Sequence, residues 1–245
     1  MLAYFFWDDE RIETKFYTVE CAFLCAFHCF GLMPSVLAVN RKTPRIVEFC
    51  NRYGIELQVD ATLTGGVPRM NIDCICNAHK RFKTDYVLII QSDGIPVNSG
   101  LEAFVGLYDY FGAPWPGHAH HMDWFPYPRF AVGNGGLTLR SRRICEAAER
   151  AYTAFWRHLP YNWLVGDDVF FCKTMPFFSG KWRATFRIAP PELAARFAIE
   201  HAHRWIPDDR PPMGFHASYG FGEYVKRYGM PLREMFEEGL KCSNR

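Results

Sequence analysis

Residues Asp85 to Gly94 read Asp-Tyr-Val-Leu-Ile-Ile-Gln-Ser-Asp-Gly, an apolar run that ends in a carboxylate and then a glycine. Val87 to Ile90 has the composition of an interior strand buried on both faces. Asp93 then stands at the carboxyl end of that strand, where open α/β sheets place their ligand sites. Gly94 lets the backbone turn sharply and admits a ligand close to the main chain. A carboxylate held rigidly there can ligate a divalent cation carrying a phosphorylated substrate. A strand-terminal Asp can equally do no more than cap the next turn.

Four further groups of residues could do chemistry. Tyr108-Asp-Tyr-Phe-Gly-Ala-Pro-Trp115 is an aromatic strand ending in a Gly-Ala-Pro turn. Val132-Gly-Asn-Gly-Gly-Leu-Thr-Leu-Arg140 is glycine-rich but matches neither the P-loop nor the GxGxxG fingerprint. Its glycines allow close backbone approach to a ligand. Gly166-Asp-Asp-Val-Phe-Phe171 sets two carboxylates at the start of an apolar run, as a helix N-cap or as a general base in a cleft. Gly214-Phe-His-Ala217 carries a lone histidine, which by itself is an ordinary hydrogen-bonded structural residue. His118, His120 and His121 could ligate a metal in a hydrolase, although the HxHH spacing has no partner motif. Cys21, Cys25 and Cys29 recur at helical spacing beside His28, but zinc ligands usually come as CxxC pairs.

The elements that must position these residues alternate. The pattern predicts a strand over about Phe16 to Glu20, a short buried helix, and a strand over Ser35 to Val39. An amphipathic helix over Pro44 to Tyr53 follows, with Ile46, Val47, Phe49 and Cys50 on its apolar side, then a strand over Ile55 to Val59. Asn71 to Phe82 reads as one helix leading into the Asp85 strand. Strand-helix repeats at this spacing argue for a parallel sheet with helices on its faces. Beyond residue 94 the chain turns rich in Gly, Pro and aromatics, as loops that build substrate sites do. A helix over Ser141 to Trp156 and a terminal amphipathic helix over Phe221 to Leu240 complete the expectation.

Composition narrows the class. The 245 residues suit one α/β domain, read as a nucleotide-binding half over about 1–94 and an acceptor and catalytic half over about 95–245. With 22% charged and 49% hydrophobic residues the chain is folded, and a formal net charge of only +2 argues against nucleic acid as a partner. Aromatics reach 17%, with Trp115, Trp124, Trp156, Trp163, Trp182 and Trp205 in the second half, either as core or as stacking surfaces for sugars. Nine cysteines at irregular positions do not form a disulfide framework. No leader with a basic n-region is evident, and Cys21 to Val39 is too interrupted by His28, Gly31, Pro34 and Ser35 to span a bilayer. The expected setting is cytoplasmic, with peripheral attachment at the inner face of the membrane left open.

The order QSDG, YDYFGAPW, GNGGLTLRS, DDVFF, GFHAS, over roughly Tyr86 to Ala217, resembles a bacterial family related to GT-A glycosyltransferases and associated with surface-polysaccharide genes. It is also similar, more distantly, to the Fringe-type and β-1,3-galactosyltransferase group. The resemblance implies a GT-A-like, Rossmann-like α/β fold with a mixed, mostly parallel central sheet flanked by helices. It implies a nucleotide-sugar donor, a glycan or other hydroxyl acceptor, and Mn²⁺ or Mg²⁺. In the same terms Asp93 takes the place of the metal-binding aspartate of a DxD motif reduced here to Gln91-Ser92-Asp93, and His216 matches a late metal ligand. Gln91, Ser92, Gly94, Trp115, Asn134, Gly135, Gly136 and Arg140 fall in the segments that shape the donor and acceptor pocket. Asp168 aligns with the base of a Glu-Asp-Val segment and Asp167 with the residue before it, which leaves open which carboxylate faces the acceptor. The non-enzymatic alternative is a carbohydrate-binding or degenerate glycosyltransferase-like module.

Overall fold

A computed structural model of the chain describes residues 2–7, 12–64, 66–115, 132–154, 166–201, 205–207 and 209–229. The alternation begins earlier than the sequence suggests. Strand β1 is Leu2–Trp7, and Phe16 to Glu20 belongs to helix α1, Ile12–Phe30, not to a strand. The physical reason is the period: Phe16, Val19, Ala22, Phe23 and Ala26 are all buried, a stripe at three- and four-residue spacing. Strand β2 (Ser35–Val39) is buried at every position, as an interior parallel strand should be.

Helix α2 (Pro44–Tyr53) has the expected bounds because both ends are encoded locally. The Thr43 hydroxyl accepts from the Ile46 amide, Pro44 opens the first turn, and Gly54 closes it in the left-handed conformation. Strand β3 is Glu56–Val59. The single helix expected over Asn71 to Phe82 is two, α3 (Gly66–Cys76) and α4 (Ala78–Arg81), separated at Asn77. Strand β4 is Tyr86–Ile90, followed by β5 (Gly94–Pro96), β6 (Tyr110–Phe111), β7 (Leu137–Ser141) and helix α5, Arg142–Ala154. A helical stretch follows as α6 (Asp167–Val169), a π-helical turn (Phe170–Thr174) and α7 (Met175–Phe178). Helices α8 (Gly180–Thr185) and α9 (Pro191–Phe197), strands β8 (Ala198–Ile199) and β9 (Gly214–His216), and helix α10 (Ala217–Tyr228) follow, and a 3-10 turn over Leu101–Ala103 lies between β5 and β6.

Six strands form the main sheet in the order β3-β2-β1-β4-β7-β6. The pairs among β3, β2, β1 and β4 are parallel, and β7 runs antiparallel to both β4 and β6. A second sheet, β5-β9-β8, stands at the carboxyl end of β4, with Gly94 opposite His216. The largest core cluster among the described residues packs α1 and α2 against the main sheet and takes in Phe111 and Phe197. No described helix is long and apolar enough to cross a membrane.

Candidate active site

The other four sequence motifs converge on the backbone of the Gly133–Gly136 loop. The main-chain N–H of Gln91 donates to the Gly136 carbonyl at 2.8 Å, and the Gly94 amide closes the Gln91–Gly94 turn at 3.0 Å. Gly94 lies so close to this loop that an added Cβ would meet the Gly136 oxygen at 2.0 Å. On the other face, a Cβ on Gly136 would lie 1.9 Å from the His216 ring. Both positions therefore need glycine for steric reasons rather than for their backbone angles. Asn134, by contrast, is in the left-handed region at φ 85°, which Asn tolerates better than most residues. Its Oδ1 accepts from the Gly136 amide at 2.8 Å, and its carbonyl accepts from the Tyr110 hydroxyl at 2.7 Å.

The Asn134 amide donates at 2.8 Å to Oδ2 of Asp168, whose Oδ1 accepts from the Val169 amide at 2.9 Å. Burial and the charge of Asp167 push the Asp168 carboxyl up to about 6, against the opposing pull of the Asn134 hydrogen bond. Asp167 turns the other way. Its Oδ2 pairs at 2.5 Å with Arg140, a guanidinium with 0% exposure lying between the Tyr110 and Phe171 rings, 5.2 and 4.6 Å from their centroids. Its Oδ1 lies 2.7 Å from where a Cβ on Gly135 would be, so the pair braces the loop from beneath. Of the two candidate carboxylates, Asp168 has the partly exposed position and the raised affinity for a proton, while Asp167 is engaged by a buried cation. Arg140 is likewise a buried brace.

Across the loop, His216 Nε2 stands 3.3 Å from Asp93 Oδ1, and its Nδ1 stands 3.2 Å from Glu200 Oε1. Glu200 follows β8 and Asp93 precedes β5, so the small three-stranded sheet assembles this trio. Burial works against charge on the imidazole, but the bonds to Asp93 and Glu200 prevail and lift it to about 9, and a cation bound at Nε2 would have to displace that proton. His216 in turn holds the Asp93 carboxyl below its usual range despite the desolvation that opposes this.

The donor chemistry suits a hard divalent cation. Asp93 and His216 offer an oxygen and a nitrogen 3.3 Å apart, near the separation of about 3 Å expected for neighbouring ligands with bonds of about 2.1 Å. Glu200 fixes the ring through the other nitrogen, the position of a carboxylate that orients a metal-binding histidine. Among the described residues no group of three or more His, Cys, Asp or Glu side chains is arranged to hold an ion, Cys21, Cys25 and Cys29 included. Burial pushes the Cys25 and Cys29 thiols up to about 12, in keeping with unreactive thiols. His118, His120 and His121 lie outside the described residues.

The remaining candidates differ in what they touch. The Gln91 side chain donates to the Met70 sulfur at 3.6 Å, and Ser92 is half-buried in the turn. Trp115 packs its indole against Gly133, where a Cβ would come within 1.6 Å of a ring carbon, and Lys173 lies 4.3 Å over the ring. Arg142 and Arg143 are tied elsewhere, Arg142 to the Phe82 carbonyl and Arg143 to the buried Asp109. Glu200 is the site residue that sequence reasoning missed. Its signal was position, in a segment between the Asp-Asp-Val and His motifs, with nothing in its own neighbours to suggest a partner.

The close approach of Gly136 to His216 makes a test. Gly136→Ala is expected to destabilise the fold by about 1–3 kcal/mol through overpacking and to drive the ring away from Asp93. Thermal melts read the first effect, and the histidine ring's NMR shifts read the second. A variant that melts like the parent, with an unmoved ring, would show that loop and ring are not in enforced contact.

This architecture is that of solved glycosyltransferases. The glycosyltransferase GlyE of Streptococcus pneumoniae TIGR4 is similar with a TM-score of 0.54 and 12% identity, over 99% of this chain and 63% of that one. The chain thus spans less than two thirds of GlyE. Mouse xyloside xylosyltransferase 1 is similar with a TM-score of 0.52 and 10% identity, over 88% of this chain and 96% of that one. At these identities the likeness shows the fold, a GT-A-like α/β fold. No curated protein matches the sequence. Residues 76–216, from the end of α3 through the histidine that closes β9, match the family described as Protein of unknown function (DUF5672), and the chain belongs to that family.

Proposed function

We propose that the protein is an inverting glycosyltransferase that moves a sugar from a nucleotide-sugar donor to a hydroxyl of a glycan or similar acceptor, with a part in surface-polysaccharide synthesis as the sequence resemblance implies. One observation carries the reading: the Gly133–Gly136 loop bonds Asp168 through Asn134 on one side and packs against His216 through Gly136 on the other. That brings the Asp168 carboxyl, with its raised pKa, and the Asp93–His216 pair to one backbone crossing.

Asp93 and His216 would hold Mn²⁺ or Mg²⁺, which when bound supplies positive charge to the departing diphosphate. Glu200 keeps the His216 ring in place for that task. Asp168 takes the proton of the acceptor hydroxyl as its oxygen forms the bond to the anomeric carbon and the bond from that carbon to the diphosphate breaks. A carboxyl with a pKa of about 6 is mostly ionised at pH 7, yet binds the incoming proton more firmly than an ordinary Asp. Gly94, Gly135 and Gly136 let the Gly136 carbonyl, the Asp167 carboxylate and the His216 ring close on the loop, with the Trp115 indole packed beside it. Fixed placement of donor and acceptor is worth on the order of 7–11 kcal/mol in favourable cases.

The test is thermal shift against nucleoside diphosphates and nucleotide sugars, each with Mn²⁺ or EDTA. One nucleotide is expected to raise the melting temperature only with Mn²⁺, by the equivalent of about 2.7 kcal/mol at a hundredfold excess over Kd, and Asp93→Ala is expected to abolish the rise. Folded protein that responds to none of them would sink the reading in favour of a glycan-binding module.

A further inference from the structure

A cavity of about 450 Å³ lies beside the β6 edge of the main sheet. Its wall includes Tyr108, Trp182 and Phe186, with Arg183 and Arg187 exposed at its margin. Aromatic rings offer flat apolar faces, the surface on which the C–H face of a sugar ring packs. The charged groups carry one sign. Among the described residues no carboxylate lines the cavity, and apart from the Tyr108 hydroxyl its polar side chains are donors without acceptors.

The two arginines are anchored but not used up. Arg183 donates through one terminal nitrogen to the Pro176 and Phe177 carbonyls, and Arg187 lies over Tyr108 and reaches the Gly106 carbonyl at 3.5 Å. A guanidinium has five N–H donors, so each keeps capacity for a carboxylate. In the same wall Trp182, 4% exposed, has a buried indole N–H with no acceptor among the described residues. An orphaned buried donor is an unfavourable arrangement that a bound acceptor atom would relieve.

The cavity also shares its framework with the catalytic loop. Val132, in its wall, immediately precedes the Gly133–Gly136 loop, and Pro176, also in its wall, lies eight residues beyond Asp168 along α6 and α7. The path includes the π-helical turn, so at no more than about 1.5 Å per residue it is at most roughly 12 Å along the axis, a separation that a short oligosaccharide spans. From this we infer that the cavity is an acceptor subsite for an acidic saccharide, one whose carboxylate pairs with Arg183 and Arg187 while its ring packs on the aromatic wall. The inference rests on the transferase reading for its role, and on the cavity alone for its ligand.

The experiment compares a glucuronate-containing disaccharide with its neutral glucose counterpart of the same linkage, titrated by tryptophan fluorescence at low and high salt. The acidic sugar is expected to bind at least tenfold more tightly, with the advantage shrinking in salt. The Arg183→Gln/Arg187→Gln double variant, checked by circular dichroism to be folded, is expected to bind both sugars equally. Equal binding of the two sugars by the parent protein, or binding of neither, overturns the proposal, as does a double variant that keeps the full preference. The nucleotide titration of the parent is read separately. If it fails while the acidic sugar binds, the transferase reading falls and the saccharide site stands.

Discussion

Asp168→Asn is expected to lower sugar transfer on the order of 10²- to 10⁴-fold, the contribution of a positioned general base, while the nucleotide sugar still binds. The substitution is nearly isosteric, but an amide has only one carbonyl oxygen, and the carboxylate accepts from both Asn134 and Val169. One of those bonds is therefore lost. A second effect opposes this loss. The folded-state pKa of about 6 lies above the ordinary carboxylate value, so the folded protein keeps a proton that the unfolded chain releases between roughly pH 4 and 6, and stability falls as pH rises through that window. Asparagine removes this penalty. The melting temperature should consequently change by only a few degrees, and a large loss of rate cannot then be ascribed to unfolding. The pH profile gives an independent reading. The base acts when ionised, so the parent's rate should climb through about pH 6 and level off above it. A rate unchanged by Asp168→Asn, or flat across pH 5 to 8, would remove Asp168 as the base.

Arg140→Met is expected to be the most damaging substitution for the fold. Arg140 and Asp167 are both buried, and removing one partner strands the other's charge, which costs about 3–5 kcal/mol. For a chain of this size that corresponds to a fall in melting temperature of roughly 6–20 °C. The effect should reach the site, because Asp167 lies against Gly135 and Arg140 packs on Tyr110, whose hydroxyl holds the Asn134 carbonyl. Arg140→Met combined with Asp167→Leu, which keeps the heavy-atom count of the carboxylate side chain, should recover most of the stability. Urea denaturation of the two single variants and the pair measures this coupling, and simple additivity of the two losses would mean that the charges act independently.

Local signals in the chain carried much of this architecture. Thr43, Pro44 and Gly54 bound α2 without help from tertiary contacts, and β4 with Asp93 at its end declares itself through a run of buried aliphatics followed by a turn. The five motifs could be matched in order to a fold type because each combines a special backbone with a chemical side chain. Phe16 to Glu20 misled because five residues cannot separate a period of 2 from one of 3.6, and the deciding repeats lie further along α1. The two carboxylates of Asp167-Asp168 are indistinguishable in sequence, since their roles depend on Arg140, which lies 27 residues earlier on β7. Glu200 was illegible for the same reason, for its meaning comes from a histidine 16 residues away on the neighbouring strand.

The hydrogen-bonded crossing of the Gln91–Gly94 turn with the Gly133–Gly136 loop has a thermodynamic consequence. A ligand that stiffens the turn at Asp93 must also restrict Gly136, and through the Asn134 side chain and amide it restricts Asp168. Linkage makes this reciprocal, so whatever free energy donor binding lends to acceptor affinity, acceptor binding returns to the donor. In the proposed transferase such coupling, where positive, favours the ternary complex over either binary one.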